Sequence, residues 1–219
     1  RIYGYFTMST YVVLRPREVT ALGFTCDTPR RRTLPEVYNA VNFCDTDPMY
    51  MAECEDAMLL LRVLFMTSWT LHDFLYENNF FGADAIVISS ASSKTALALT
   101  WILANRNKSS EKKITIVGLT SASNVAFVKS TSLYTHVLSY AGIDRCPTKA
   151  SVYVDIAGAG HIRRALHDHL GEKSLLKYNC LVGASVPDEK RAGFSESDQV
   201  LYVSSDPAEP TRKPCKPEL

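Results

Sequence analysis

Residues 85–100, Ala-Ile-Val-Ile-Ser-Ser-Ala-Ser-Ser-Lys-Thr-Ala-Leu-Ala-Leu-Thr, limit the possible folds more than any other stretch. A β-branched apolar run (Ile86, Val87, Ile88) leads through small hydroxyl residues at 89–93 into an Ala/Leu-rich segment of helical character. A buried strand that enters a helix through so tight a turn aims the helix's unpaired N–H groups, and the positive end of its dipole, at one point. That point suits a phosphate. The glycines of the usual dinucleotide-binding turn are missing, but serine adds little bulk and brings hydroxyls that can donate to phosphate oxygens. Lys94-Thr95 has the look of a P-loop ending, without that motif's two glycines or its spacing. The competing reading is an ordinary strand-to-helix turn in which a Ser or Thr caps the helix.

Downstream the pattern alternates. Residues 114–120, 136–140, 151–157 and 177–183 read as buried strands, with helices expected at 124–132 and 160–170. Such alternation builds βαβ units and a parallel sheet with helices on both faces. Ligands bind such sheets at the carboxyl ends of the strands, near the switch in strand order. Residues 89–93, 120–124, Tyr140, Ala157-Gly158 and Gly183-Ala184 all fall at those ends. An NAD-preferring site would carry an acid at the end of the second strand. The sequence there is Thr120-Ser121-Ala122-Ser123-Asn124, with no acid. Ser and Asn can donate to a ribose 2′-phosphate without repelling it, so NADP is favoured over NAD, although no arginine stands beside them.

The first eighty residues are less regular. Residues 1–15 are aromatic and β-branched and read as one or two strands, which Arg15-Pro16-Arg17 should break. Residues 26–35 read as a loop whose Arg30-Arg31-Arg32 run is solvated. Helices are expected at 36–42 and 52–77, the second with a core-facing stripe of Met58, Leu59, Leu61, Leu64, Phe65, Trp69 and Leu71. His72-Asp73 within it reads as a structural pair.

Composition then excludes several classes. With 219 residues, 46% hydrophobic and 21% charged, the chain is expected to be globular and soluble, with one large domain or two small ones. A net charge of +1 makes no electrostatic case for nucleic acid or an anionic membrane. No uninterrupted run approaches the roughly 18 apolar residues of a membrane span. Cys26, Cys44, Cys54, Cys146, Cys180 and Cys215 form no Cys-x-x-Cys pair, so neither a zinc site nor a disulfide framework is expected, and Cys180 reads as core. His167 and His169, two apart on a helix, point to different faces. No metal is expected. The cysteine pattern suits a reducing compartment, cytoplasm or an organelle interior, and not secretion. The opening Arg-Ile-Tyr-Gly-Tyr, without an initiator Met or leader, reads as processed or incomplete.

The residues that carry a resemblance are Ile-Ser-Ser-Ala-Ser-Ser-Lys-Thr-Ala, Val-Gly-Leu-Thr-Ser-Ala-Ser-Asn-Val-Ala-Phe-Val, Leu-Tyr-x-x-Val-x-x-Tyr and Val-Tyr-Val-Asp-Ile-Ala-Gly. This order resembles the cofactor half of the medium-chain dehydrogenase/reductase superfamily. More narrowly, it is similar to a quinone-oxidoreductase-like branch known as domain of unknown function 2855. Tyr3 to Tyr5 with Met8, Arg31 to Asn39, and Phe65 to Phe74 match further motifs of that branch. The resemblance covers about residues 1–185.

It implies an α/β fold, a Rossmann-type doubly wound parallel sheet with helices on both faces, plus remnant strands of a GroES-like β-barrel domain. The implied division is residues 1–81 for the barrel remnant and connecting helices, 82–186 for the dinucleotide-binding domain and 187–219 for an extended proline-bearing tail. It places Ser89, Ser90, Ser92, Ser93, Lys94 and Thr95 at the pyrophosphate. Thr120, Ser121, Ser123 and Asn124 fall at the adenosine ribose or its phosphate, Tyr140 near the adenosine, and Ala157, Gly158 and Gly183 near the nicotinamide. The implied activity is a zinc-independent, NADP(H)-dependent reduction of an enone, quinone or similar carbonyl. Tyr3, Tyr5, His72 and Tyr153 are candidate acids by residue type alone, and no catalytic residue is assigned.

The alternative is a non-catalytic accessory subunit that uses the nucleotide-binding fold as a docking module in a larger assembly. By the resemblance, the chain is expected to hold only the last strands of the superfamily's substrate barrel. Residues 1–14 hold Tyr3, Tyr5, Phe6, Tyr11, Val12 and Val13, more apolar surface than a lone hairpin can cover. Protein partners are therefore expected at residues 1–14 and 206–219.

Overall fold

A computed structural model describes residues 1–171, 174–182 and 198–200. The described chain divides after residue 60 into two units.

The first unit is a small antiparallel sheet of β1 (Ile2–Gly4), β2 (Pro16–Arg17), β3 (Gly23–Cys26) and β4 (Ala40–Phe43), in the order β1-β4-β3-β2. Phe24 pairs with Val41, and Cys26, Val41 and Cys44 are buried. Three expectations fail here. Residues 36–42 do not form a helix: Glu36–Tyr38 is a single 3-10 turn behind Pro35, and the chain then extends into β4. The β-branched and aromatic residues Val37, Tyr38, Val41 and Phe43 suit a pleated surface better than a helix. Residues 1–15 supply only β1, whereas Pro16-Arg17, expected to break the pattern, pairs with Cys26 and Thr25 as β2. Proline is tolerated there because β2 is an edge, where an N–H is not required on the open side. Nor is the arginine run uniformly solvated. Arg31 is buried and donates to the carbonyls of Tyr5 (2.7 Å) and Tyr38 and to Asn39 Oδ1 (3.3 Å), while Arg32 pairs with Asp27.

A 3-10 turn, Ala52–Cys54, leads into α1 (Glu55–Glu77). There follow β5 (Ala85–Ile88), α2 (Lys94–Ser109), β6 (Thr115–Thr120), α3 (Val125–Ser130), β7 (His136–Ser139), β8 (Ser151–Asp155), α4 (Gly160–Leu166), β9 (Leu176–Leu181) and β10 (Asp198–Val200). The six strands β5 to β10 form one parallel sheet in the order β10-β9-β8-β5-β6-β7. Read by sequence this is the Rossmann order, with the reversal between β5 and β8. The apolar runs lack alternation because both faces are covered. Ile86 and Ile88 face a core with Leu71, Leu75, Leu99 and Leu103, whereas Val87 faces one with Leu119, Tyr153, Ile162 and Leu166. Cys180 is fully buried in the first of these, as expected.

The stripe on α1 is only partly core. Leu71 is buried, but Leu59, Leu61, Phe65 and Trp69 are exposed, the last at 52%. The helix buries its other side through Ser68, Leu71 and Leu75, and Ser68 Oγ donates to the carbonyls of Leu64 and Thr95. Phe65 lies between Trp69 of α1 and Trp101 of α2, with ring centroids 6.4 and 6.3 Å away. By length and composition alone, Ala52–Glu77 could cross a membrane, at a mean hydropathy of 1.2. Its apolar run is not uninterrupted, because Glu55, Asp56, Arg62 and Asp73 punctuate the helix.

His72 sits among the rings of Trp69, Tyr76 and Phe80, and its buried Nε2 has no hydrogen-bond partner among the described residues. Burial, and then the positive charge of Arg106, lower its pKa below the usual 6.5, against a weaker upward pull from Asp73. The unfolded chain therefore takes up a proton that the folded chain resists, and stability is lost as pH falls through about 6.5. His72→Phe keeps an aromatic ring and removes the titration. We expect the drop in urea midpoint between pH 7.5 and 5.5 to be smaller in that variant than in the parent, and equal drops would refute this account of His72.

Candidate functional site

The turn after β5 leaves the sheet beside the reversal in strand order and is tied down residue by residue. Ser89 is buried; its hydroxyl donates to Asp155 Oδ1 (2.9 Å) and accepts from the amides of Ile156 (2.9 Å) and Ala157 (3.1 Å). Ser90 adopts a left-handed backbone (φ 49°), and its amide donates to the Tyr140 hydroxyl at 3.0 Å. Ala91 is laced onto β6 through its amide to the Leu119 carbonyl, and its own carbonyl accepts from Tyr134 Oη at 2.8 Å. Ser92 Oγ accepts from Asn124 Nδ2 (3.1 Å) and, at 3.4 Å, from Thr120 Oγ1. Ser93 caps α2 by accepting from the Ala96 amide at 3.2 Å.

Both readings of the turn are thus present at once. Ser93 is a helix cap, and the amides of Lys94 and Thr95, first in α2, have no intrahelical acceptor and point out of the helix end. Lys94 is exposed, and Thr95 is half-buried with its carbonyl held by Ser68. Ser121 and Ser123 share a hydrogen bond of 3.0 Å just past β6. In one turn-centred group the structure brings together Ser89, Ser90, Ser92, Ser93, Thr120, Asn124, Tyr140, Ala157 and Gly158. Gly183, like Ala184 and residues 206–219, lies outside the described residues.

In the usual fingerprint one glycine makes the tight turn, one lets the backbone approach the phosphate, and one allows close helix–strand packing. Here Ser90 takes the left-handed turn, and Ala96, fully buried, sits where α2 meets the sheet. The turn also packs closely on β6: a Cβ on Gly118 would lie 2.8 Å from the Tyr134 ring and 2.9 Å from Ala91 Cβ.

Sequence reasoning missed Gly118, Tyr134, Asp155 and Arg163. The available signal was Asp155 itself, an acid closing the otherwise apolar run Val-Tyr-Val. Asp155 is 1% exposed; Oδ1 also accepts from the Gly158 amide (2.9 Å), and Arg163 Nη1 lies 3.3 Å from Oδ2. Burial raises its pKa above the usual carboxylate value, outweighing the Gly158 amide, Ser89 and Arg163, which favour the ionised form. Tyr153, fully buried beside Ser89 and Asp155, lacks a well-aligned hydrogen bond, and burial followed by the Asp155 charge pushes its pKa well above that of a free phenol. Of the other candidate acids, Tyr5 packs edge-on against Tyr38, Tyr3 lies on β1 and His72 lies in its aromatic cluster. None is marked out for proton transfer.

Among the described residues no three His, Cys, Asp or Glu side chains group as metal ligands would. His167 and His169 diverge: His167 Nε2 meets Asn179 Nδ2 at 2.5 Å, and His169 Nε2 meets the Cys146 carbonyl at 3.0 Å.

The family model described as "Protein of unknown function (DUF2855)" matches residues 1–202. The chain belongs to the DUF2855 family. No curated protein matches it. Among solved structures, this DUF2855 chain is similar to one named as an NADPH:quinone reductase from Mesorhizobium loti, at 14% identity over 68% of this chain and 42% of that one, with a TM-score of 0.44. It is also similar to the D-arabinose dehydrogenase from Sulfolobus solfataricus, at 19% identity, 55% and 36% coverage and a TM-score of 0.40. A third is a thermostable alcohol dehydrogenase from Pyrobaculum aerophilum, at 12% identity, 54% and 31% coverage and a TM-score of 0.36. The DUF2855 chain spans less than half the length of each.

Proposed function

We propose that this DUF2855 chain binds a nicotinamide dinucleotide, NADP in preference to NAD, for a zinc-independent reduction of an enone, quinone or similar carbonyl. The observation that carries the reading is the donor-lined turn at the strand-order reversal, with its carboxylate, Asp155, turned inward to Ser89, Gly158 and Arg163. Two free amides at the start of α2 and the Ser92 and Ser93 hydroxyls fit a pyrophosphate, and Lys94 supplies a cation. Ser121, Ser123 and Asn124 supply donors and no negative charge to a 2′-phosphate, and Tyr140 stands on the adenosine side. Ala157 and Gly158 line the nicotinamide side. The nucleotide would supply the hydride, and the chain's part is to bind and orient it. In this reading residues 1–81 are the barrel remnant and 82–186 the nucleotide domain, in a reducing compartment.

The second reading, an accessory subunit, draws on Met8, Tyr11 and Val13 of the first unit, which are 107%, 82% and 71% exposed. Residues 1–14 would then meet a protein partner, with 206–219 as a second contact. Calorimetric titration with NADPH and NADH separates the outcomes. We expect NADPH to bind with a dissociation constant of roughly micromolar order, within the usual enzyme range, and NADH more weakly. No binding of either would overturn the nucleotide reading. NADPH binding without oxidation on addition of a quinone would move weight to the accessory role.

A further inference from the structure

Where the strand order reverses, one buried carboxylate holds both chains leaving the sheet. Asp155 ends β8 and Ser89 follows β5, and the two side chains meet on the same face, 66 residues apart in sequence. Between them they accept three consecutive amides: Ile156 and Ala157 on Ser89 Oγ, and Gly158 on Asp155 Oδ1. Arg163 of α4, 3% exposed, anchors the other carboxylate oxygen. Holding β5 to β8 does not call for this. The two strands already pair in register from Ala85 to Ile88, and the Ser89 amide continues the ladder to the Val154 carbonyl. A buried ion pair is moreover a poor way to gain stability, since well-packed apolar residues often do as well or better. What the cluster achieves that apolar packing cannot is to fix the direction of three successive peptide units, ending at Gly158 in a left-handed conformation (φ 70°).

We propose that Asp155 is a positioning residue for the half of the nucleotide that lies over β8. It holds residues 156–158 against Ser89 as a rigid wall of the cleft. This rests on the nucleotide reading above. A dinucleotide crosses such a sheet at the reversal, with its first ribose read at the end of β6, so its other half falls on the β8 side. Loss of the carboxylate frees the Gly158 amide, whereas residues 90–92 keep their own ties to Tyr140, Tyr134 and β6, so the effect falls on the β8 half.

The test compares Asp155→Asn, Asp155→Ala and the double variant Asp155→Ala/Arg163→Met, which leaves no unpaired buried guanidinium. Each is titrated with NADPH and with adenosine 2′,5′-bisphosphate, which reaches only the adenosine half. We expect the alanine variants to lose about tenfold in NADPH affinity, the scale of a buried donor stripped of its acceptor, with bisphosphate affinity unchanged. Asp155→Asn keeps an acceptor for Ser89 and Gly158 and should recover most of the loss. Equal losses on both probes, or unchanged NADPH affinity, would overturn the proposal. Should the parent protein bind neither probe, the nucleotide reading fails on its own account, and amide exchange then decides the remaining claim, that Asp155 fixes residues 156–158 as a rigid wall. Amides 156–158 exchanging faster in the double variant than in the parent and Asp155→Asn would uphold it, and equal rates would end it.

Discussion

Aspartate at both positions 92 and 93 is expected to abolish the proposed nucleotide binding and to leave the protein folded. The fold survives because each new side chain does what the serine did. Asp is as good a helix cap as Ser, so the Ala96 amide keeps its acceptor, and a carboxylate at position 92 can still accept from Asn124 and Thr120. Negative charge at the start of α2 also suits the helix dipole. A bound pyrophosphate meets the opposite situation. Two carboxylates placed about 4 Å from its oxygens, at the effective dielectric near a protein surface, each oppose it by about 4 kcal/mol. Half of their sum removes about three orders of magnitude in affinity. Calorimetry with NADPH, beside a thermal melt monitored by circular dichroism, reads both halves of the expectation. Retained affinity in a folded S92D/S93D variant would remove the turn from the site.

Valine at Gly118 should act through packing alone and affect both stability and the site. A Cβ there falls inside the contact distance of the Tyr134 ring and Ala91 Cβ, and β6 is buried on both faces, so no direction is open for relief. Overpacking of this kind costs about 3 kcal/mol, or roughly 10 °C in Tm for a protein of this size. The turn at 90–93 should yield, pushed off β6 with loss of the Tyr134–Ala91 hydrogen bond and of the Ser90 backbone geometry. Nucleotide affinity should fall with Tm, and Gly118→Ala should show the same changes on a smaller scale. A G118V protein that melts with the parent would mean that the strand and turn are not in tight contact.

The parallel sheet was readable because its strands are buried on both sides and so appear as unbroken β-branched runs. The turn was readable because a strand, small residues and a helix follow one another without a gap. Two kinds of feature were not. The small antiparallel sheet is built from strands of two to four residues, too short to show a period, so Glu36 and its neighbours passed for a helix although Pro35 starts only one 3-10 turn. The glycine that lets the turn pack closely stands on a neighbouring strand, and a local pattern cannot show contact between Ala91 and Gly118. Asp155 was hidden for the same reason, since its partners Ser89 and Arg163 lie on other elements. On α1 the spacing identified an apolar helix but not which side of it would be covered.

The packing of Phe65 between Trp69 and Trp101 bears on what light can report from this protein. These two tryptophans are the only ones in the chain, and they occupy one half-exposed spot shared by α1 and α2. Tryptophan emission therefore registers whether those two helices are docked. Residues 1–60 contain no tryptophan, so emission holds no signal from a tryptophan of their own.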